Sequence, residues 1–461
     1  MKTYESMKSS SVFWLGMIPE HWECMKIGSL FSQRKVKVSD KDYTPLSVTK
    51  MGILPQLENA AKTNDGDNRK LVCAGDFVIN SRSDRKGSCG ISELNGSVSL
   101  INIVLTPRSE WNNRYAHYLL RSQPFSEEYY RYGRGIVADL WTTRFSEMKN
   151  ILFPVPPREE QDQIVRFLDW KVSEINRLIN IKRREIERLE ELKNNTITRY
   201  TTKGLNGNVE LKYSGTEWLG DIPVHWEAVQ LRRVFTVILG KMLAPNPSST
   251  EDTYEKYVCA KDVHFDGVDL TSLKKMWFSP SEKKQYEIKS GDLLIVEGGA
   301  GAGNAALVSD LNGQCIYVQN SIHIVRTKSD QALNKFLCCW IGSLVKRGYM
   351  KNICSVATIP HYTKDKVLST IMPLAPIEEQ AEIVAFLDKK CQEIDELISF
   401  KEQQIQSLQE FKIRLILDVV TGKVDVRGIK VPKFEYVEEI EDDFDGDKEL
   451  EEKSGENTED K

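Results

Sequence analysis

A glycine-rich turn after an apolar run is where cofactor chemistry would be sought first in this chain. Gly291-Asp292-Leu293-Leu294-Ile295-Val296 reads as a buried strand, and Glu297-Gly298-Gly299-Ala300-Gly301-Ala302-Gly303-Asn304 follows it. Glycines at such a turn let a backbone close on a phosphate. A phosphate loop also needs Lys and Ser or Thr after its last glycine, to hold the phosphates and their Mg²⁺, and Asn304 and Ala305 stand there instead. The nucleotide reading fails on that requirement. An amino-methyltransferase would need an Asn-Pro-Pro-Tyr or Asp-Pro-Pro-Tyr element for the target amine, and the chain has neither. A nuclease centre could be drawn from Asp269 with Glu287-Ile288-Lys289, but no Pro-Asp element precedes it. Nine cysteines form no Cys-x-x-Cys pair and six histidines lie apart from them, so reduced thiols without zinc or disulfides are expected.

The chemistry that remains is contact with nucleic acid. Gly75-Asp76-Phe77-Val78-Ile79-Asn80 matches the glycine-rich turn's strand, yet the loop after it is Ser81-Arg82-Ser83-Asp84-Arg85-Lys86-Gly87. Arginine can grip a guanine edge with two hydrogen bonds, whereas glycine and asparagine permit close backbone approach. Candidate contacts are Lys35, Lys37, Ser81, Arg82, Ser83, Arg85, Lys86 and Arg134 in the first half, and Lys241, Asn304, Lys346 and Arg347 in the second.

Repetition indicates what must position these loops. Trp14-Leu15-Gly16-Met17-Ile18-Pro19-Glu20-His21-Trp22-Glu23 returns as Trp218-Leu219-Gly220-Asp221-Ile222-Pro223-Val224-His225-Trp226-Glu227, identical at eight of ten positions. Residues 154–182 return 219 residues later as 373–401 with 16 of 29 identities, while the segments between scarcely match. A duplicated scaffold with diverged cargo suits two different recognition surfaces better than one active site. The boxes, being the same in both copies, cannot discriminate between sequences and read as packing elements.

Pro157-Arg158-Glu159-Glu160-Gln161 and Pro376-Ile377-Glu378-Glu379-Gln380 have the make-up of helix starts, with proline where no donor is needed and carboxylates at the positive end of the dipole. Heptads follow. Val165, Leu168, Val172, Ile175, Ile179 and Ile186 form one apolar stripe, and Val384, Leu387, Ile394, Ile398, Ile405 and Leu408 form the other. The spacing predicts helices over 159–197 and 378–419, each a rod of roughly 60 Å that pairs antiparallel with the other. Lys182 and Lys401 interrupt both stripes at the same position, either snorkelling or meeting glutamates of the partner helix. Between box and helix, runs at 101–105 and 322–325 read as strands, and 114–121 and 334–344 as helices, so each segment is α+β.

The net charge of −4 hides two populations, because 434–461 carries 14 Asp or Glu against three Lys and the remainder is +7. The acidic end is expected to be disordered and solubilising. No apolar stretch approaches the ~18 residues of a membrane span, and residues 1–11 lack a signal-peptide run; a cytoplasmic chain is expected.

The duplicated Trp-Leu-Gly-x-Ile-Pro-x-His-Trp boxes and the Pro-x-x-Glu-Gln helix starts resemble those of the specificity subunit of type I restriction-modification enzymes. The resemblance covers residues 1 to about 430; Ala375-Pro376 stands where the first copy has a Pro-Pro pair. It implies target recognition domains at 1–153 and 204–372, spacer helices within 154–203 and 373–430 that pair as an antiparallel coiled coil, and an acidic tail at 431–461 outside the pattern. It further implies a non-catalytic reader of a bipartite, asymmetric duplex, working with two methyltransferase subunits that use S-adenosylmethionine and with restriction subunits that use ATP and Mg²⁺. No cofactor is expected on this chain. The competing expectations are a self-contained methyltransferase or nuclease, and a coiled-coil scaffold with no DNA role.

Overall fold

The computed structural model describes residues 2–56, 66–108, 111–135, 141–299, 301–353 and 361–440. The chain divides into two compact units, Met1–Arg183 with Glu402–Lys461, and Arg184–Lys401. Each is α+β, as the alternation of strand and helix patterns predicts. Their boundaries fall inside the two long helices, so each unit owns a box, a mixed domain and half of each rod.

In the first unit a four-stranded antiparallel sheet runs in the order Cys89–Ile91, Phe77–Asn80, Asn102–Pro107, Phe31–Gln33. In the second the order is Ala305–Leu307, Leu293–Val296, Ile322–Thr327, Phe235–Leu239. The registers agree, with Phe77 opposite Leu105 and Leu293 opposite Val325. All four residues of Phe77–Asn80 and of Leu293–Val296 are buried, which is why these strands read as apolar runs without alternation. Helices Asn113–Leu120 and Asn334–Lys346 cover one face of each sheet.

The first long helix is Arg158–Lys203 and the second Ile377–Val420. The first outruns its expected end at 197 by six residues. In the added turn the Thr201 and Thr202 hydroxyls bond Ile197 O (2.7 Å) and Thr198 O (2.8 Å), and Gly204, at φ +70°, then stops the helix. Within the first unit Leu168, Ile175 and Ile179 share a core with Leu415 and Val419. Within the second, Glu185 meets Lys401 (2.7 Å), Lys193 meets Asp395 (2.6 Å), and the Tyr200 ring meets Phe386 at 4.6 Å. In the second unit partners descend along one helix as they ascend the other, so its segments run antiparallel. Lys401 takes the ion-pair alternative.

The acidic end departs from expectation in its first part. Residues 431–440 are laid on the long helices of the first unit instead of being disordered. Asn176 Nδ2 donates to Val437 O and Asn180 Nδ2 to Glu438 O, both at 2.9 Å, and Ile440 N donates back to Asn180 Oδ1 at 2.9 Å. Glu439 is bonded by Arg183, Gln409 and Lys412. Net charge did not reveal this because the slot recognises the backbone and one carboxylate. The rest of the acidic end, 441–461, lies outside the described residues.

Candidate nucleic-acid interface

In the first unit the loop after strand Phe77–Asn80 is clamped by a segment 60 residues further on. Thr143 N donates to Ser81 O (2.9 Å), Ser83 N to Trp141 O (3.0 Å), and Thr142 bridges both Arg82 and Arg134. That knot brings Arg82 and Arg134, both exposed, to one place, with Trp141 38% exposed beside them. Arg85 and Lys86 project from the same loop. Guanidiniums beside an indole make a surface suited to phosphates and base faces.

The second unit ties the same knot with other residues. Tyr362 N donates to Glu297 O (2.6 Å), and Gly298 bridges His361. A Cβ on Gly298 would lie 2.8 Å from His361 Nδ1, so a larger residue would push that imidazole aside. Burial pushes the Glu297 carboxyl above its ordinary range, against the pull of His361. Gly303 (φ +87°) and Asn304, whose N–H bonds Gly301 O at 2.8 Å, complete a compact turn. The loop presents the exposed His361 imidazole and backbone beside a half-buried carboxyl, where the first unit presents arginines. Ala300 and 354–360 lie outside the described residues.

Several expected contacts stand elsewhere. Ser81 is only 5% exposed and serves the knot through its carbonyl, so its hydroxyl does not face a ligand. Lys241 is spent internally, paired with Glu282 with its ammonium 5.2 Å from the Phe278 ring centroid. Lys346 and Arg347 are exposed but border an open cleft with Glu187, Glu190 and Glu191, and Arg347 lies over the Trp218 ring at 5.7 Å. Those carboxylates compete with any phosphate. Lys35 and Lys37 are exposed, and Lys37 lies opposite Lys70 in a separate small sheet. Ser83 is half-buried and Asn304 likewise. Trp141, Thr142 and His361 were missed, although the 219-residue repeat offset carried upstream aligns Thr142 with His361.

The repeated motifs interlock. Glu160 accepts from Trp22 Nε1 (3.0 Å), His21 Nε2 (2.7 Å) and the Tyr4 hydroxyl. Glu379 accepts from Trp226 Nε1 and His225 Nε2, both at 2.9 Å. Gln161 and Gln380 hold the preceding Pro156 and Ala375 carbonyls and receive Asn112 N and Leu333 N, fixing the residue before each domain helix. So box and helix start are two halves of one latch. Along the rods, Val165, Leu168, Val172, Ile175 and Ile179 are buried, as are Leu387 and Ile394. Val384, Ile405 and Leu408 are partly buried against the cores, and Ile186 and Ile398 are half-buried.

A duplicated α+β unit latched to paired rods, with one knot position carrying unlike residues, defines a class of two-reader scaffold. The chain belongs to the family of the type I restriction modification DNA specificity domain, which matches residues 19–188 and 223–409. It is 23% identical over 295 residues to the type I restriction enzyme MjaVIII specificity subunit of Methanocaldococcus jannaschii, covering 61% of this chain and 64% of that one, just under two thirds of the relative's length. It is 24% identical over 446 residues to the putative type I restriction enzyme MjaX specificity subunit of the same organism, covering 90% of this chain and 96% of that one. A solved chain from work on complex assembly and conformational transition of the type I R-M system shares the fold at TM-score 0.65 and 16% identity, covering 88% of this chain and 99% of that one. Among the described residues no helix is long and apolar enough to cross a membrane.

Proposed function

We propose that this chain is the sequence-reading, non-catalytic subunit of a cytoplasmic type I restriction-modification complex. Each unit reads one part of an asymmetric duplex target, and partner subunits carry adenine methylation with S-adenosylmethionine and cleavage with ATP and Mg²⁺. One observation supports this above the rest: the same knot carries Arg82, Arg134 and Trp141 in one unit and Gly298, His361 and Glu297 in the other. Unlike residues at one scaffold position give unlike readings of a base sequence.

Docking of two methyltransferase subunits is supported by exposed apolar pairs that recur at the repeat offset. Leu178 (47% exposed) and Ile181 (43%) on the first rod match Leu397 (49%) and Phe400 (54%) on the second. One partner surface, used twice, would cover both pairs.

Exchanging residues 24–150 for the same segment of another family member tests the reading. With methyltransferase subunits supplied, the methylated sequence should change in one half and keep the other. Change in both halves overturns modular reading. Cleavage or methyl transfer by the purified chain alone, given plasmid, Mg²⁺ and S-adenosylmethionine, overturns the non-catalytic role.

A further inference from the structure

In the second unit, strands Thr253–Val258 and Lys274–Phe278 form an antiparallel ribbon whose register sets Tyr254 opposite Trp277 and Lys256 opposite Lys275. Alternation puts these four on one face, while Tyr257, Met276 and Phe278 are buried on the other. The third strand, Tyr317–Val318, pairs only with Tyr257 and Val258, so the end bearing the four residues is two strands wide. Like charges directly opposite one another weaken a sheet. Lys256 Nζ rests on Gln314 Oε1 at 2.9 Å, a neutral acceptor, and Lys275 is partly offset by the Glu255 carboxylate. The first unit treats its own facing pair differently: Lys70 Nζ, opposite Lys37, donates to the carbonyls of Leu100 (2.7 Å) and Asn102 (2.6 Å).

Beside the lysines, Tyr254 is 51% exposed and its ring lies 5.3 Å from that of Trp277. Trp277 N donates to Ala244 O (3.1 Å), which places the chain carrying exposed Met242 and Leu243 along the ribbon's edge. Two lysines, an exposed tyrosine beside a half-buried tryptophan, and nearby apolar side chains on this ribbon suit contact with a duplex groove. Lysines on such a face are suited to phosphates, and the major groove admits a two-stranded ribbon.

We infer that the ribbon face Tyr254, Lys256, Lys275 and Trp277 is the second unit's main contact with double-stranded DNA, ahead of its glycine-rich loop. The inference rests on the DNA-reading function proposed above. It explains how a unit whose knot lacks arginines can still hold a polyanion.

The test is Lys256→Gln with Lys275→Gln in the full chain, assembled with methyltransferase subunits and titrated with a duplex carrying its mapped target. Removing two phosphate contacts should lower the slope of log affinity against log salt by about two and affinity on the order of ten-fold. The melting temperature should stay near that of the wild type, since the relief of the like-charge pair is set against the lost attraction of Lys275 to Glu255. Tyr254→Ala should weaken discrimination in the second half-site alone. Unchanged affinity and slope, with wild-type complex binding its target normally, overturns the ribbon but leaves the function proposed above intact. Loss of subunit assembly without loss of intrinsic DNA affinity also overturns it, making the face a protein contact. Failure of the wild-type complex to bind any duplex removes both.

Discussion

The two units solve one electrostatic problem with different strands. Each has a buried aspartate in its Gly-Asp turn: Asp76 accepts from Cys73 N, and Asp292 from Lys289 N, both at 2.8 Å. In the first unit the neutralising guanidinium is Arg34, next to strand Phe31–Gln33, and Thr106 adds a hydroxyl at 2.8 Å. In the second it is Arg326, which stands at the register position of Thr106, while Ile238 stands at that of Arg34. What the duplication preserved is the buried carboxylate's need for a cation, and the strand that supplies it was free to change. The knots diverged without that constraint, since an exposed loop residue leaves no buried charge behind.

The sharpest way to break the likeness is at the latches, which differ in depth. Glu160 is 5% exposed with three donors on it, and Glu379 is 23% exposed with two. Replacing Glu160 by Ala strands a buried indole N–H and a phenol, at roughly 4 kcal/mol. Glu379→Ala should cost about half that. Urea unfolding read by tryptophan fluorescence checks both, and equal losses would show that burial does not set the latch's worth.

The aspartate comparison can be sharpened by moving the arginine. Arg326→Thr should destabilise by about 3 kcal/mol, because Asp292 loses its buried partner. Adding Ile238→Arg rebuilds the first unit's solution and should recover 1 to 2 kcal/mol, seen as a double-mutant coupling. Strict additivity would mean the two sheets are not interchangeable at this level.

How much of this was legible in the sequence follows from the range of each interaction. The rods and the buried strands are local patterns, so heptads and apolar runs placed them to within a few residues, except at the first helix's last turn, where Thr201 and Thr202 carry no helical signal. The α+β character and the doubling were equally visible. The latch was half visible: box and helix start stood out as repeats, but nothing local joins Trp22 to Glu160 across 138 residues. Site residues fared worst. Arg82 and Arg134 meet only because Thr142 lies between them, while Ser81 and Lys241 look like contacts until burial and Glu282 are known.

A third comparison is of pH. The second unit has His323 where the register of the first has Ile103. Burial drives the imidazole down to about 4, its Nε2 bonding Tyr362 O while Nδ1 is buried unpaired. A lowered folded-state pKa means the neutral form stabilises above the unfolded value of ~6.5, and this stability is lost as pH falls toward 4. From pH 6.5 to 5 the second unit should lose about 2 kcal/mol. His323→Ile should flatten that loss, at about 1 kcal/mol at pH 7 for the orphaned Tyr362 carbonyl. Hydrogen exchange on strand Ile322–Thr327 at both pH values measures it.

The smallest effect concerns a feature that one unit has and the other lacks. Carried across the repeat, Asn176 becomes Asp395, which pairs with Lys193, and Asn180 becomes Ser399, so the slot for residues 431–440 is built in the first unit only. Burial raises the Glu439 carboxyl, but Lys412, Gln409 and Arg183 outweigh it and hold its pKa below the usual range. A lowered carboxylate stabilises above its unfolded pKa near 4.3 and ceases to do so as pH falls through the folded value. Glu439→Gln keeps the shape but removes the charge, and should cost the first unit about 1 kcal/mol at pH 7 and progressively less as pH falls through the folded value. Because Asn176 and Asn180 bind backbone, the segment should stay docked in that variant, whereas ending the chain at Lys433 removes it. Protection of Asn176 and Lys412 amides should then fall only in the truncated chain. Equal loss in both would place the segment's hold in the carboxylate alone.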